Sequence, residues 1–552
     1  MRPRTDAATV VIHWTVAALF LISVITGFRI AADAEDAIWS RILAAVSLQG
    51  EVVIWHVWAS WAMVAAAAAY IVFLFVSRLV PRVSVDASRV RAVSSHHRQT
   101  RWLSINVLIY WLAFIGLIVA IASGTVLYFS PEWASLHASP SWVTHHTVAA
   151  IHRVAAWSLV LYVFLHVGAQ WAAGGLQALL KIMRPRLAYG RAAAVAAATT
   201  IGVLAGAYFA DTATVRTLAV AQVFVPPRID GETGDAAWRQ ARPVTVLTRN
   251  GANLPGGEAP VTLRAVHDGT YAYFLFEWPD PTRSQKHLPL RKTAGGWEVV
   301  ERDYARQDED HYYEDKFGVM LSRSSRLAAL LTSHLGPQPA AGKPGPAGGR
   351  GLHYTTDRSI VDVWHWKSVR TGPMGQIDDN YFGPLMDPPA DPAVRYTGGY
   401  TQDPKIAGNF IQNWKMLSGG RIQPLWLPRD LDVLRQQLGE VNLDPGASDS
   451  GEWWLPKELV LPYSADLDAR FPVGTVIPSV VIEAPFEGDR GDVRAVGRWS
   501  KGWWRLEVSR KLDTGSKYDI AIASGVYMWV AVFDHTQTRH SQHLHPVQLE
   551  LR

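Results

Sequence analysis

The chain has 552 residues, a formal net charge of +5 and an apolar fraction of 49%, which is too long for one domain and ordinary on average. It contains no cysteine, and this excludes disulfides, iron–sulfur clusters, thiolate zinc sites and covalent haem attachment through C-x-x-C-H. The average hides two unlike halves: up to Ala210 the chain is long runs of Ala, Val, Leu, Ile and Trp, and beyond it the sequence is polar and punctuated by Pro and Gly. The positive surplus gathers in short loops of the first half, a pattern of membrane topology rather than of nucleic-acid binding.

Five apolar stretches long enough to cross a bilayer, about 20 residues each, lie near Val10–Phe28, Val52–Val76, Leu103–Tyr128, Val148–Trp171 and Ala192–Ala210. The first has no small-residue cleavage site after it and reads as a signal anchor. Arg2 and Arg4 precede span one; Arg78, Arg82, Arg89, Arg91, Arg98 and Arg101 lie between spans two and three; Lys181, Arg184, Arg186 and Arg191 lie between spans four and five. The opposite loops carry Asp33, Glu35, Asp36 and Glu132, with Arg41. The positive-inside rule therefore predicts a cytoplasmic N-terminus, and an odd number of spans puts everything after Ala210 outside.

An ionisable side chain inside a span is costly unless it has work to do. His13, His56, His152 and His166 each lie a few residues inside the end of a span. Span direction puts His13 and His166 near the inner face, and His56 and His152 near the outer face. On span four the two histidines are 14 residues apart, about 21 Å of rise and close to four turns, so they share one face at two depths. The pairs His13–His166 and His56–His152 would hold two bis-histidine haems b stacked across the bilayer, because iron takes the lone pairs that hydrocarbon cannot. The bland alternative is interfacial histidines bonded to backbone or headgroups. His145 and His146 have no partners at their depth and read as loop residues; His96 and His97 fall in the basic inner loop and read as solvated.

Residues 1–190 resemble the bacterial di-haem cytochrome b561 group, which includes membrane anchors of formate dehydrogenases and nickel–iron hydrogenases. The resemblance is carried by Val11-Ile12-His13-Trp14, Thr26-Gly27, His56 and the His152/His166 pair. It implies that the four histidines are haem ligands and that quinone or quinol reacts near one haem.

Beyond Ala210, Asp211–Gln222 reads as a tether, giving three parts: 1–190, a fifth helix with its tether over 191–222, and a soluble domain over 223–552. Strand signals are strong at Val261–Val266, Tyr271–Trp278, Lys316–Leu321 and Tyr527–Phe533, and His267-Asp268-Gly269 is a hairpin turn. Long helical periodicity is scarce, so the expected fold is a membrane all-α four-helix bundle plus a fifth helix, followed by a periplasmic antiparallel β-sandwich. Gly336–Gly351 is a Pro/Gly/Ala loop; its Gly342-Lys343 is followed by Pro344, which excludes a phosphate-binding loop. The acidic run Asp308–Asp310 with Glu314 and Asp315 reads as a solvated or partner-facing loop, with a metal site as the lesser alternative. Met320 and Met528 read as strand core; Trp364 and Trp366 fit a haem pocket and ordinary core equally well.

Ile229-Asp230-Gly231 with Trp238, Trp278–Arg283, Asp362–Lys367 and Val530–Asp534 resemble the haem-binding subunit of ethylbenzene dehydrogenase, whose relatives serve dimethylsulfide dehydrogenase and selenate reductase. That resemblance implies a β-sandwich holding one haem b between a Met and a Lys. The corresponding stretches here contain His353 and Arg539-His540-Ser541-Gln542-His543, without that Met or Lys. A joint change to bis-imidazole ligation is chemically coherent, so the expected outer ligands are His353 and His540, with His543 as the substitute for His540. The alternative is that these are exposed histidines on a domain without haem.

The sum is an electron conduit between the quinone pool and a periplasmic redox protein or oxidoreductase subunit, with at most quinol oxidoreductase activity. No Ser-His-Asp, metal-hydrolase or dinucleotide-binding pattern competes. Two other readings stay open: a membrane-tethered module whose sandwich captures a ligand such as a sugar, and the haem subunit of a larger molybdenum oxidoreductase.

Overall fold

The computed structural model describes residues 5–31, 52–134, 145–301, 304, 309–324, 333–334, 352–355, 357–391, 396–417 and 421–552. The chain forms two compact units that part between Thr214 and Val215.

The first unit has five helices long and apolar enough to cross a membrane: α1 (Ala7–Ala31), α2 (Val52–Val76), α3 (Arg98–Ala134), α4 (His145–Leu180) and α5 (Gly190–Ala213). Their unbroken Ala/Val/Leu/Ile runs satisfy every backbone group inside the helix, the requirement hydrocarbon imposes. Gly174 and Gly175 break the last turns of α4, with Gly175 at φ 59°. α1 packs on α2, α3 on α4, and α5 against α2. The α2–α5 seam is made of Ala69 and Phe73 facing Ala192 and Ala196, and its small side chains let the helices approach closely. Phe75, Ile118, Val154 and Phe164 point outward, as lipid-facing residues do. Thr5–Asp6 pairs in parallel with Pro185–Arg186, and Asp6 Oδ2 accepts from Arg82 Nη1 at 2.8 Å. The start of α1, the α2–α3 connection and the α4–α5 connection therefore share one end, the end on which the basic residues lie.

The second unit is built on one twelve-stranded sheet. Its strands are β1 (Arg216–Gln222), β2 (Val244–Thr248), β3 (Ala259–His267), β4 (Tyr271–Pro279), β5 (Lys316–Ser322), β6 (Val361–Lys367), β7 (Asp378–Phe382), β8 (Tyr400–Gln402), β9 (Arg494–Ser500), β10 (Trp503–Lys511), β11 (Tyr527–Phe533) and β12 (Val547–Leu551). The order is β8-β7-β6-β5-β11-β12-β1-β3-β4-β10-β9, with β2 on β3. The four expected strands are present with ends within two residues, and the turn at His267-Asp268-Gly269 has Gly269 at φ 94°.

The sheet curls until its two wings face each other. Phe274 and Trp278 on β4 meet Trp364 and Trp366 on β6, at 5.7 and 6.4 Å between ring centroids, although these strands are far apart in the sheet. A Cβ at Gly497 on β9 would stand 2.3 Å from the Trp366 ring, so only glycine leaves Trp366 its place. Trp364 and Trp366 are thus core residues, with Met528 beside them; of the two readings open for this pair, core packing holds. A second core around Trp297, Trp453, Phe471 and Phe486 belongs to shorter sheets.

Three expectations need correction. Asp211–Gln222 is not a tether: Arg216–Gln222 is β1, in the middle of the sheet, and Leu218 and Val220 are fully buried. The sheet is not wholly antiparallel, because β1 runs parallel to both β12 and β3. Glu314 and Asp315 are not solvated: both are buried, Glu314 bonded to Arg370 and the Val369 N–H, and Asp315 to the Ser284 N–H and Trp504 Nε1. Gly336–Gly351 and Asp308 lie outside the described residues.

Candidate cofactor sites

In the membrane unit the histidines meet in the two pairs that span direction implies. The His56 and His152 ring centroids are 6.2 Å apart, and those of His13 and His166 are 6.3 Å apart. A metal between two imidazoles, each at a metal–nitrogen distance of about 2.0–2.1 Å, sets the centroids roughly 6.2–6.4 Å apart. The residues present fit the iron of a b-type haem at both levels.

The hydrogen bonds of the other ring nitrogens indicate which atom faces the gap. His56 Nδ1 lies 3.0 Å from the Ser23 carbonyl and 3.1 Å from Thr26 Oγ1. His152 Nδ1 lies 3.0 Å from both the Ala120 carbonyl and Ser123 Oγ. His166 Nδ1 donates to Asn106 Oδ1 at 2.9 Å. A ligand histidine characteristically donates its second N–H in this way, which fixes ring orientation and leaves Nε2 for the metal. His13 sits edge-on to Trp14 at 5.4 Å. Tyr162 stacks on His166 at 5.6 Å and Tyr110 tilts over it at 5.3 Å.

The His56–His152 pair is held by a repeated device. In α1, Ser23, Thr26 and Gly27 form the wall behind His56; in α3, Ala120, Ser123 and Gly124 form the wall behind His152. A Cβ on Gly27 or Gly124 would stand 3.1 Å from Cε1 of the respective imidazole. The carbonyl, the hydroxyl and the missing side chain occupy the same relative positions in each hairpin. Thr26-Gly27 stands out as a sequence string. Its counterpart Ser123-Gly124 escapes sequence reasoning, although the offset from the helix carbonyl is the same. His96 and His97 are exposed. The side chains of His145 and His146 lie outside the described residues.

In the second unit His353 and His540 come together in one pocket. His353 stacks on Phe382 at 4.5 Å and 18°. Burial first, and the nearby His540 imidazole second, push His353 down to about 3. His540 leans on Phe533 at 4.8 Å, and its Nδ1 donates to the Ser541 carbonyl at 3.0 Å. A third histidine escapes sequence reasoning. His365 on β6 also stacks on Phe533, at 5.2 Å, and its buried Nε2 has no hydrogen-bond partner among the described residues. Burial holds it well below its ordinary value, with Lys367, Lys316, Arg370 and His540 adding to the effect. The available signal is its alternation with Trp364 and Trp366, which puts it on the face away from the core.

His543 is not part of this pocket's ligand set. Its Nε2 accepts from the Val530 N–H at 2.9 Å and its Nδ1 donates to the His545 carbonyl at 2.7 Å. Both nitrogens are spent on the backbone, which corrects its standing as a substitute for His540.

The family model described as prokaryotic cytochrome b561 matches residues 4–185, and the one described as ethylbenzene dehydrogenase matches residues 235–544. No curated protein sequence matches the chain. Among solved structures, a family 9 carbohydrate-binding module from Caldicellulosiruptor kristjanssonii in complex with glucose is similar at 9% identity and a TM-score of 0.23, covering 60% of this chain and 95% of that one. The same module with cellotriose gives 10% identity, a TM-score of 0.22, and coverage of 61% and 94%. Likenesses this low carry no statement about fold or ligand. The chain belongs to the ethylbenzene dehydrogenase family, joined here to a membrane cytochrome of the prokaryotic b561 type.

Proposed function

We propose that this membrane electron-transport protein carries electrons between the quinone pool and a redox partner in the periplasm, through two haems b in the membrane bundle and one in the outer domain. The observation that carries the reading is the pairing of four imidazoles at two levels, with centroid separations of 6.2 and 6.3 Å. Bound haem would supply one-electron chemistry between ferric and ferrous iron. His13 with His166 and His56 with His152 would hold the membrane haems; His353 with His540 would hold the outer one.

The protein's part is to fix these ligands. Asn106, the Ser23 and Ala120 carbonyls, Thr26 and Ser123 orient the rings and keep Nδ1 protonated, and Gly27 and Gly124 make room behind them. With two imidazoles to hold each iron, a bound haem would supply electron transfer rather than oxygen activation. The basic end of the bundle supports a cytoplasmic N-terminus in a bacterial inner membrane, with residues after Thr214 outside.

Haem stoichiometry of the purified full chain, by pyridine haemochrome, tests this. Three haems b are expected, falling to two in His353→Ala or His540→Ala, and to two, with loss of a membrane haem, in His56→Ala. A full chain with two haems that His353→Ala and His540→Ala leave unchanged would refute the outer site; none would refute the whole reading. A second reading, the haem subunit of a molybdenum oxidoreductase complex, is supported by the family match. It predicts a molybdenum-containing partner that co-purifies from membranes.

A further inference from the structure

Five aspartates from five separate segments meet inside the outer domain. Asp362 stands on β6, and Asp379 on β7 lies directly across from Trp364. Asp403 follows β8, Asp492 precedes β9, and Asp519 lies in the connection from β10 to β11. Asp362 and Asp379 are 0% exposed and Asp403 is 3% exposed; the Asp519 side chain is 2% exposed. One oxygen each of Asp362, Asp379 and Asp519 lies within 4.8 Å of the other two.

The cation that meets them is Arg510, on β10. Its Nη1 is 2.5 Å from Asp362 Oδ2, its Nη2 is 3.8 Å from Asp519 Oδ2, and it sits over the Trp364 ring at 5.3 Å. Backbone and hydroxyl donors reach some of the carboxylates: the Ile520 N–H to Asp362 Oδ2, the Asn380 N–H to Asp379 Oδ1 and Thr514 Oγ1 to Asp519 Oδ2. Among the described residues six buried oxygens meet no N–H or hydroxyl donor: Asp362 Oδ1, Asp379 Oδ2, both of Asp403, Asp492 Oδ1 and Asp519 Oδ1; Asp403 faces Asp519 and Asp492 faces Asp379, carboxyl against carboxyl. Buried polar atoms are almost always satisfied, and buried charges are paired or bind metal. A single guanidinium does not balance five carboxylates.

From this geometry we infer that the cluster is a calcium site, with Asp362, Asp379 and Asp519 as direct ligands and Asp403 and Asp492 completing the oxygen cage. Calcium takes six to eight oxygens at about 2.3–2.6 Å, so ligands on opposite sides of one ion stand roughly 4.6–5.2 Å apart, matching the span of the cluster. An all-oxygen, all-carboxylate donor set selects a hard cation over zinc, copper or iron.

The ion would tie β6 and β7 to the start of β9 and to the loop before β11. The opposite face of the same two strands carries His365 and Phe382, the latter stacked on His353. Calcium would therefore stiffen one wall of the histidine pocket without touching it. The site does not depend on the pocket holding haem.

The test uses the full chain in detergent. After desalting, metal analysis should find calcium bound to the protein; EGTA should remove it and lower the thermal midpoint, and Ca2+ but not Mg2+ should restore both. Tb3+ added to the stripped protein should emit on tryptophan excitation, with Trp364 as the near sensitiser. Asp379→Asn and Asp519→Asn should each weaken Tb3+ and Ca2+ binding at least tenfold. Wild-type protein that carries no calcium, shows no sensitised Tb3+ emission, and becomes more stable as pH falls would overturn the inference, because the carboxylates would then be discharged by protons. Emission that survives both substitutions would overturn it equally, by placing the ion elsewhere.

Discussion

Replacing Asn106 by Leu should weaken one membrane haem and leave the other. Asn106 is 3% exposed, and its Oδ1 accepts from His166 Nδ1 at 2.9 Å. Leucine has nearly the same shape and no acceptor, so the imidazole N–H is left buried without a partner. That costs about 1–3 kcal/mol, and with 1.4 kcal/mol per factor of ten it becomes roughly 5- to 150-fold in retention, in line with the 10- to 100-fold typical of such supporting residues. Loss of the acceptor also makes the imidazole a weaker donor to iron, which favours the ferrous state and raises the midpoint potential of that haem. The assay is a redox titration of the α-band in purified membranes, with haem content measured in parallel. The component assigned to His13–His166 should lose occupancy and move to higher potential, while the His56–His152 component stays put. Equal changes in both components, or none in either, would refute the pairing.

Gly27→Val and Gly124→Val place a branched side chain where a Cβ alone stands 3.1 Å from the His56 or His152 ring; each should remove the outer-level membrane haem from the spectrum and spare the inner one. Glu507 is fully buried and accepts from Trp238 Nε1, the Gly231 N–H and the Asp230 N–H. Glu507→Gln turns one acceptor into a donor facing donors, so unfolding of the outer domain should become easier by about 2–4 kcal/mol, read as a lower thermal midpoint. Burial pushes His543 down to about 4, below its unfolded value of about 6.5. The unfolded chain therefore takes up the proton first: the stability His543 contributes is full above pH 6.5 and is lost as pH falls toward 4, at up to about 1.4 kcal/mol per pH unit. His543→Gln should flatten that part of the stability profile; an unchanged slope in urea titrations would count against the assignment.

The membrane sites are legible in the sequence because depth is a one-dimensional quantity. Span direction and a 14-residue spacing on one helix are enough to pair four histidines, and the structure brings together those same pairs. The outer pocket is legible only in part. His353 and His540 emerge through departures from a family pattern, but His540 and His543 sit three residues apart in a segment of irregular backbone. Only hydrogen bonds to Val530 and His545 mark His543 as held by the backbone through both ring nitrogens. The strand Arg216–Gln222 passes for a tether even though Leu218 and Val220 alternate inward; proximity to a membrane helix outweighs a period-two signal. The aspartate cluster is not legible at all. Its members are spread from residue 362 to residue 519, and no spacing rule joins positions that meet only through the curl of a sheet.

β1 has a consequence for how the outer domain is made. It is the first strand of the sheet to be synthesised, yet its neighbour on one side is β12, Val547–Leu551, the last of the twelve. While translation proceeds, both the N–H and C=O groups along one flank of β1 have no partner, and Leu218 and Val220 have only half a core to enter. The domain must therefore wait, held open, until nearly all of its sequence has been made, and its folding rate is governed by a contact of very long sequence separation. A nascent chain with an exposed central strand is a template for mispairing. Cells making this protein should accordingly depend on holding chaperones, and a stop codon that removes only Val547–Arg552 should send the product to proteolysis rather than yield a slightly shortened protein.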